Sequence, residues 1–214
     1  MASVALGPKA RREHAGVTFS YDPKTALVVV DVQNDFVDAR GSLYVPGGDQ
    51  AVEGINAEIR AARDAGSLVV YTQDWHPADT PHFAKDGGTW PVHCVAGTWG
   101  AELHPALDVA GPVVRKGTGG EDGYSGFSVR DPQSGAGGPT ELDAILRRYD
   151  TTRLVVVGVA TDYCVKDTVL DGLGLGYDVT VVTSAVRPVE VHPGDGGRAL
   201  AAMATAGARL EAAS

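Results

Sequence analysis

The chain has 214 residues, a formal charge of −9, and hydrophobic and charged fractions of 43% and 21%. Those values suit one domain with a well-buried core, and the acidic balance excludes nucleic acid or an anionic membrane surface as the main partner, because both recruit concentrated positive charge. No apolar run is long enough to span a bilayer, and two cysteines, Cys94 and Cys164, rule out a disulfide framework and suit a reduced, cytoplasmic setting.

Residues 1–24 hold two arginines and no apolar stretch of signal-peptide length, which predicts an N-terminal arm, flexible or draped on the surface, ahead of a single domain over 25–214. ALVVVDV (26–32) predicts the first strand. QAVEGINAEIRAARDAG (50–66) follows as a helix, with Val52, Ile55, Ile59 and Ala62 at helical spacing and Gly66 as a stop. SLVVYT (67–72) and PVVRK (112–116) are the next strands. A helix over 139–150, a strand over 153–160, a helix over 161–176, a strand over 178–186 and a helix over 196–207 complete the chain. The strand runs are β-branched and nearly continuous, as strands covered on both faces should be. Strands alternating with helices imply right-handed crossovers, hence a three-layer α/β/α domain with a central parallel sheet. The Gly-rich patches 117–126 and 134–138 read as surface loops, and the first lacks the Lys-Ser/Thr ending of a phosphate-binding loop.

Open parallel sheets bind ligands beyond the carboxyl ends of their strands. Asp31 closes the first predicted strand, Asp74 and His76 follow the second, Lys116 closes the third and Cys164 follows the fourth. Chemically capable groups from four strand ends therefore converge on one rim.

Asp74 and His76 are two residues apart, so extended backbone points both side chains to the same side, where they could share an ion with His93. A carboxylate with imidazoles suits Zn²⁺, Mn²⁺ or Fe²⁺ and leaves coordination positions open. His82 is a fourth ligand or a group behind the ligands. Taken singly, each histidine is as well explained as a loop residue satisfied by water and backbone; three of the chain's six within 76–93 point instead to a site.

Cys164 lies just after a strand, in the first turn of a predicted helix, where backbone N–H groups lower a thiol pKa and can receive an oxyanion. Its plainer reading is a small core residue. Asp31 and Lys116 could be a structural ion pair; as a functional set, Asp31 takes the thiol proton and Lys116 holds the local charge. Cys94 shows no sign of being a nucleophile and reads as structural.

VVVDVQNDF (28–36), TQDWHP (72–77), TWPVHCVAGTWGAELHP (89–105), VVRKGT (113–118), GYSGF (123–127) and GVATDYCVKDT (158–168) together resemble the nicotinamidases of the isochorismatase-like hydrolase superfamily, from about Thr25 to near Leu210. The resemblance implies a metal-dependent cysteine amidohydrolase that converts nicotinamide to nicotinic acid and ammonia in NAD salvage, with pyrazinamide as a further substrate. It implies a triad of Asp31, Lys116 and Cys164, and a divalent metal, zinc before iron or manganese, on Asp74, His76 and His93, with His82 matching a ligand of only some members. It places Phe36, Trp90, Tyr124 and Val159 around the substrate ring. It also implies a cis Val159–Ala160 bond that aims the Ala160 and Cys164 amides into an oxyanion hole. Tyr163 stands where some relatives carry His, and is read as a packing choice beside the pocket. The alternatives are a related hydrolase acting on another small amide, an isochorismatase-type enzyme, and a non-enzymatic binding protein. The metal set together with the Cys counts against the second, and the complete triad against the third. No motif specifies oligomeric state, so a homo-oligomer stays open.

Overall fold

The computed structural model describes residues 19–212. Six strands form one parallel sheet. In chain order these are β1 (Thr25–Val30), β2 (Leu68–Asp74), β3 (Val113–Lys116), a separate two-stranded hairpin of β4 (Ser128–Arg130) and β5 (Gly137–Pro139), then β6 (Arg153–Val159), β7 (Asp178–Arg187) and β8 (Arg209–Glu211). The sheet order is β3-β2-β1-β6-β7-β8, so the chain starts at the centre, winds outward one way and then crosses to the other side.

β1 is buried at every position. Leu27 and Val29 face one core cluster and Ala26, Val28 and Val30 the other, which explains the unbroken apolar run. Of the helices, α1 (Asn34–Val37) is a single turn after β1, and α2 (Gly48–Asp64) covers the first face with Ile55 and Ile59, both fully buried. Each such side chain contributes about 1.5–3 kcal/mol of transfer free energy. α3 (Leu142–Arg148), α4 (Lys166–Gly174) and α5 (Asp195–Ala206) cover the opposite face through residues such as Leu142, Val169 and Met203. No helix among the described residues is long and apolar enough to cross a membrane.

The sequence-based expectations hold for five strands and four helices, with ends shifted by a few residues. Three features were not anticipated. β8 carries no apolar run, α1 is too short to show a period, and the end of the Gly-rich 134–138 patch pairs within β5 of a hairpin while residues 134–136 form its loop. The helix expected over 161–176 begins as a π turn at Thr161–Val165 before α4. Residues 1–18 of the predicted arm lie outside the described residues. Phe19 and Tyr21 pack on the first core cluster, and the Tyr21 hydroxyl donates to Glu58 Oε2 at 2.8 Å.

One glycine is dictated by the close approach of β6 to β1. Gly158 has φ +116°, and a Cβ there would stand 2.1 Å from the Val30 carbonyl oxygen. The β6–β7 register also shifts between Val156 and Gly158. Gly158→Ala is expected to lower stability by at least about 3 kcal/mol through combined strain and overpacking. The urea midpoint reads this directly, and an unchanged midpoint would refute it.

Candidate active site

The strand ends meet as the topology demands. Asp31 follows β1 with φ 50°, a left-handed conformation that Asp tolerates better than most residues and that turns its carboxylate into the rim. Asp74 and Lys116 end the paired strands β2 and β3 in register with each other. The Lys116 ammonium lies 2.8 Å from Asp31 Oδ2 and 2.5 Å from Asp74 Oδ1, donates to the Gly123 carbonyl, and sits 3.7 Å from Cys164 Sγ. Thr72 Oγ1 donates to the other Asp31 oxygen at 2.6 Å. All four groups are buried.

Burial and charge compete here, with different winners. Desolvation lifts the Asp31 carboxyl above the usual carboxylate range, against the attraction of Lys116 and with the help of the Asp74 charge. Asp74 is also penalised by burial, but Lys116 and the neighbouring imidazoles hold it well below that range. Burial disfavours the Lys116 ammonium, yet two carboxylates keep it well above the ordinary lysine value. Desolvation pushes the Cys164 thiol well up despite Lys116. This corrects the expectation drawn from a helix start. Cys164 occupies a π turn and is only 7% exposed, so loss of water outweighs the local amides. The thiol therefore keeps its proton until a base takes it, and Asp31 is the carboxylate beside it.

The second half of the site is built from imidazoles. One ligand-capable nitrogen from each of His76, His82 and His93 lies within 4.8 Å of the others, and all three residues are buried. The His76 and His82 rings stack 4.5 Å apart. His76 Nε2 is 3.9 Å from Asp74 Oδ2, so the two Asp74 oxygens serve different neighbours, Lys116 and the histidines. His93 Nδ1 donates to the Pro91 carbonyl at 2.8 Å and His82 Nδ1 to Asp122 Oδ1 at 2.6 Å. Both partners can only accept, which leaves the Nε2 lone pairs free. Burial holds His93 down to about 4 and also lowers His82, so both are neutral near pH 7, the form a metal requires. Both His76 ring nitrogens are buried without a hydrogen-bond partner. A buried imidazole with neither nitrogen satisfied is costly unless something else binds it. The set thus fits a divalent cation, with His82 on the same footing as His93.

Several bracing residues went unnoticed in the sequence. The Gln33 side chain pairs with both backbone groups of Asp74, accepting from its N–H at 2.8 Å and donating to its carbonyl at 2.8 Å. Asp35 Oδ2 accepts the Cys94 N–H at 2.7 Å, pinning the turn that carries His93. Gly117 (φ +73°) is required beside His76, because a Cβ would stand 2.5 Å from its ring. Such partners lie tens of residues from the groups they hold, and no local pattern reveals them. Cys94 is free and fully buried, in keeping with a structural role.

Between the two halves opens a mainly apolar pocket. Phe36, Trp90 and Tyr124 line it together with Ala160 and Cys164. Trp90 Nε1 donates to the Tyr124 hydroxyl at 2.8 Å. Val159 is the exception: it is 1% exposed and packs in the core under the pocket instead of lining it, because the strand alternation turns it inward. The Val159–Ala160 peptide is cis. Tyr163 does more than pack nearby, since it lines the pocket and meets the Trp90 ring edge-on at 4.8 Å. Leu43, Val45 and Val189 complete the wall. Val189 is held there by Asp162, whose two oxygens accept the Val189 and Glu190 amides, each at 2.9 Å.

A parallel α/β domain with this rim defines a class. The Isochorismatase domain family matches residues 25–212, and the chain belongs to that family. Among its relatives, a nicotinamidase of Escherichia coli is 41% identical, with 88% of this chain and 94% of the relative covered. The solved pyrazinamidase of Pyrococcus horikoshii in complex with zinc superposes with a TM-score of 0.79 at 39% identity, covering 89% of this chain and 99% of that one. PnC1 from L. infantum in complex with nicotinate superposes with a TM-score of 0.82 at 33% identity, covering 92% and 96%.

Proposed function

We propose that this protein hydrolyses nicotinamide to nicotinic acid and ammonia, and pyrazinamide by the same route, with Asp31, Lys116 and Cys164 as its catalytic residues. One observation carries the reading. A buried Cys–Lys–Asp set and a buried imidazole–carboxylate set share a single aromatic-walled pocket through the two oxygens of Asp74. Relatives that bear the names nicotinamidase and pyrazinamidase support the substrate class.

In this reading, Asp31 accepts the thiol proton as Cys164 Sγ attacks the amide carbon. The tetrahedral oxyanion faces the Ala160 and Cys164 amides. Asp31 returns the proton to the amide nitrogen, the C–N bond breaks, ammonia leaves and a thioester remains. Water, deprotonated by Asp31, attacks the thioester carbon; nicotinic acid departs and the thiol is regenerated. Lys116 stays protonated throughout and balances the charge that moves between Asp31 and Cys164. Phe36, Trp90 and Tyr124 exclude water and hold the ring in the pocket.

Asp74, His76, His82 and His93 would hold the divalent cation. The solved pyrazinamidase in complex with zinc supports zinc as that cation, while imidazoles and a carboxylate also suit iron or manganese. When bound, the cation supplies a Lewis acid for the pyridine nitrogen, a matter of orientation more than of bond making. Stripping it is expected to lower kcat/KM for nicotinamide by at least about 10²-fold, the scale of a small misplacement, and zinc should restore activity. Ammonia release from nicotinamide with and without a chelator tests both halves. Full turnover after stripping would remove the metal from the reading. No release from zinc-loaded, reduced protein would move the substrate to another small amide.

A further inference from the structure

The Gly-rich segment 117–126, expected to be a surface loop, packs against both halves of the site. Gly117 clears space for the His76 ring, Gly123 accepts the Lys116 ammonium, and Tyr124 walls the pocket. The residue between them with no part in the chemistry above is Asp122. Its Oδ1 meets His82 Nδ1 at 2.6 Å, and its backbone is fixed by a reciprocal pair of bonds with Arg130, at 2.7 and 2.9 Å, which anchors it to the β4–β5 hairpin. The loop bearing His82 is held to the same segment from a second point: Thr80 Oγ1 donates to the Gly120 carbonyl at 2.6 Å and accepts the His82 amide at 3.2 Å.

The His82 ring is therefore gripped at its far nitrogen by a carboxylate whose backbone is bonded to the β4–β5 hairpin, while its face lies on His76 and its centroid stands 5.3 Å from that of His93. A carboxylate that accepts from one imidazole nitrogen fixes the tautomer and aims the other nitrogen, which is how such pairs support metal ligands. We propose that Asp122 is the positioning residue of the cation site, holding His82 with its Nε2 lone pair inward, so that the protein presents four ligands instead of three. The proposal rests on the reading of Asp74, His76, His82 and His93 as a cation site. It treats the 40-residue separation of His82 and Asp122 as the reason that local spacing left the role of His82 open.

The test uses full-length protein stripped of metal and titrated with Zn²⁺ alone against a chromogenic chelator. The variants are Asp122→Ala, Asp122→Asn, His82→Ala and the double Asp122→Ala/His82→Ala. Asp122→Ala is expected to weaken zinc binding by about 10–100-fold. Asp122→Asn, whose side-chain oxygen can still accept from Nδ1, should recover part of that loss. His82→Ala should lose at least as much as Asp122→Ala, and the double variant should bind no more weakly than His82→Ala, because Asp122 acts only through the imidazole. The visible spectrum of the Co²⁺-loaded protein should change alike in Asp122→Ala and His82→Ala. Asp122→Ala strands the buried His82 Nδ1–H, so the urea midpoint of the metal-free protein should fall slightly, and a fold that stays intact by far-UV circular dichroism under the titration conditions separates ligand positioning from unfolding.

Unchanged zinc affinity in Asp122→Ala, with tight binding by the wild type, would overturn this inference alone. So would an equal further loss in the His82→Ala background, or a loss of folded protein under the titration conditions that accounts for the weaker binding. Failure of the wild type to bind zinc would overturn both the inference and the cation half of the proposed function.

Discussion

Cys164→Ala is expected to lower kcat/KM for nicotinamide by at least about 10⁴-fold, the scale seen when a nucleophile that acts as part of a unit is removed. The fold should survive, with a stability loss of only about 1 kcal/mol, since the change deletes one sulfur from the pocket floor and strands no charge. The Lys116 ammonium keeps both of its carboxylate partners when Sγ is gone. Zinc affinity should also be unchanged, because the histidine cluster is built from other elements. Ammonia release, far-UV circular dichroism and a zinc titration on the same preparation read the three statements. Persistent hydrolysis would remove the nucleophile from the mechanism, whereas lost zinc binding would show that the two halves of the site are not separable. Alkylation of the wild type supplies a control. Iodoacetamide should modify Cys164 at the pocket and spare Cys94, which is fully buried.

Lys116→Met should have the largest effect on stability. Among the described residues the ammonium is the one cation in contact with two buried carboxylates, and Met keeps much of the stem while removing the charge. Breaking a buried pair by deleting one partner costs about 3–5 kcal/mol, because the other charge is left uncompensated. The deficit should depend on pH. In the wild type Lys116 is the main opposing influence on both carboxyls, against desolvation. Without it, Asp31, already raised in the wild type, should lie further above the unfolded value of about 4, and Asp74 should rise from its lowered position. A raised carboxyl binds a proton in the folded state that the unfolded chain has already released, so stability falls as pH rises through that window. Urea unfolding of the metal-free variant at pH 5 and pH 8 should therefore show the smaller deficit at pH 5. A deficit equal at both values, or below about 1 kcal/mol, would mean that the carboxylates are not held by this ammonium.

The strands and the rim were legible in the sequence because their causes are local. An apolar run such as ALVVVDV must be covered on both faces, and β1 is. Once parallel strands are inferred, their carboxyl ends lie on one edge, and Asp31, Asp74, Lys116 and Cys164 do meet there. The motif resemblance added the pocket aromatics, of which Phe36, Trp90 and Tyr124 line the pocket while Val159 turns into the core. Elements with weak local causes were missed. β8 has three residues and no apolar run, and the β4–β5 hairpin exists through pairing between segments that look like loops.

What the sequence by itself determined, then, was the layered fold and the edge of the sheet on which Asp31, Asp74, Lys116 and Cys164 gather, since these follow from hydrophobic periodicity and chain connectivity. Only the tertiary structure decided the state of those residues. The helix-start argument lowers the thiol of Cys164, whereas burial beside Asp31 and Asp74 raises it, because desolvation is a property of the whole surrounding shell. In the same way, the grip of Asp122 on His82, of Gln33 on Asp74 and of Asp35 on the Cys94 turn joins residues about 40 to 60 positions apart. A directional hydrogen bond needs both partners placed to within a few tenths of an ångström, and that placement comes from packing, which no local stretch of sequence encodes.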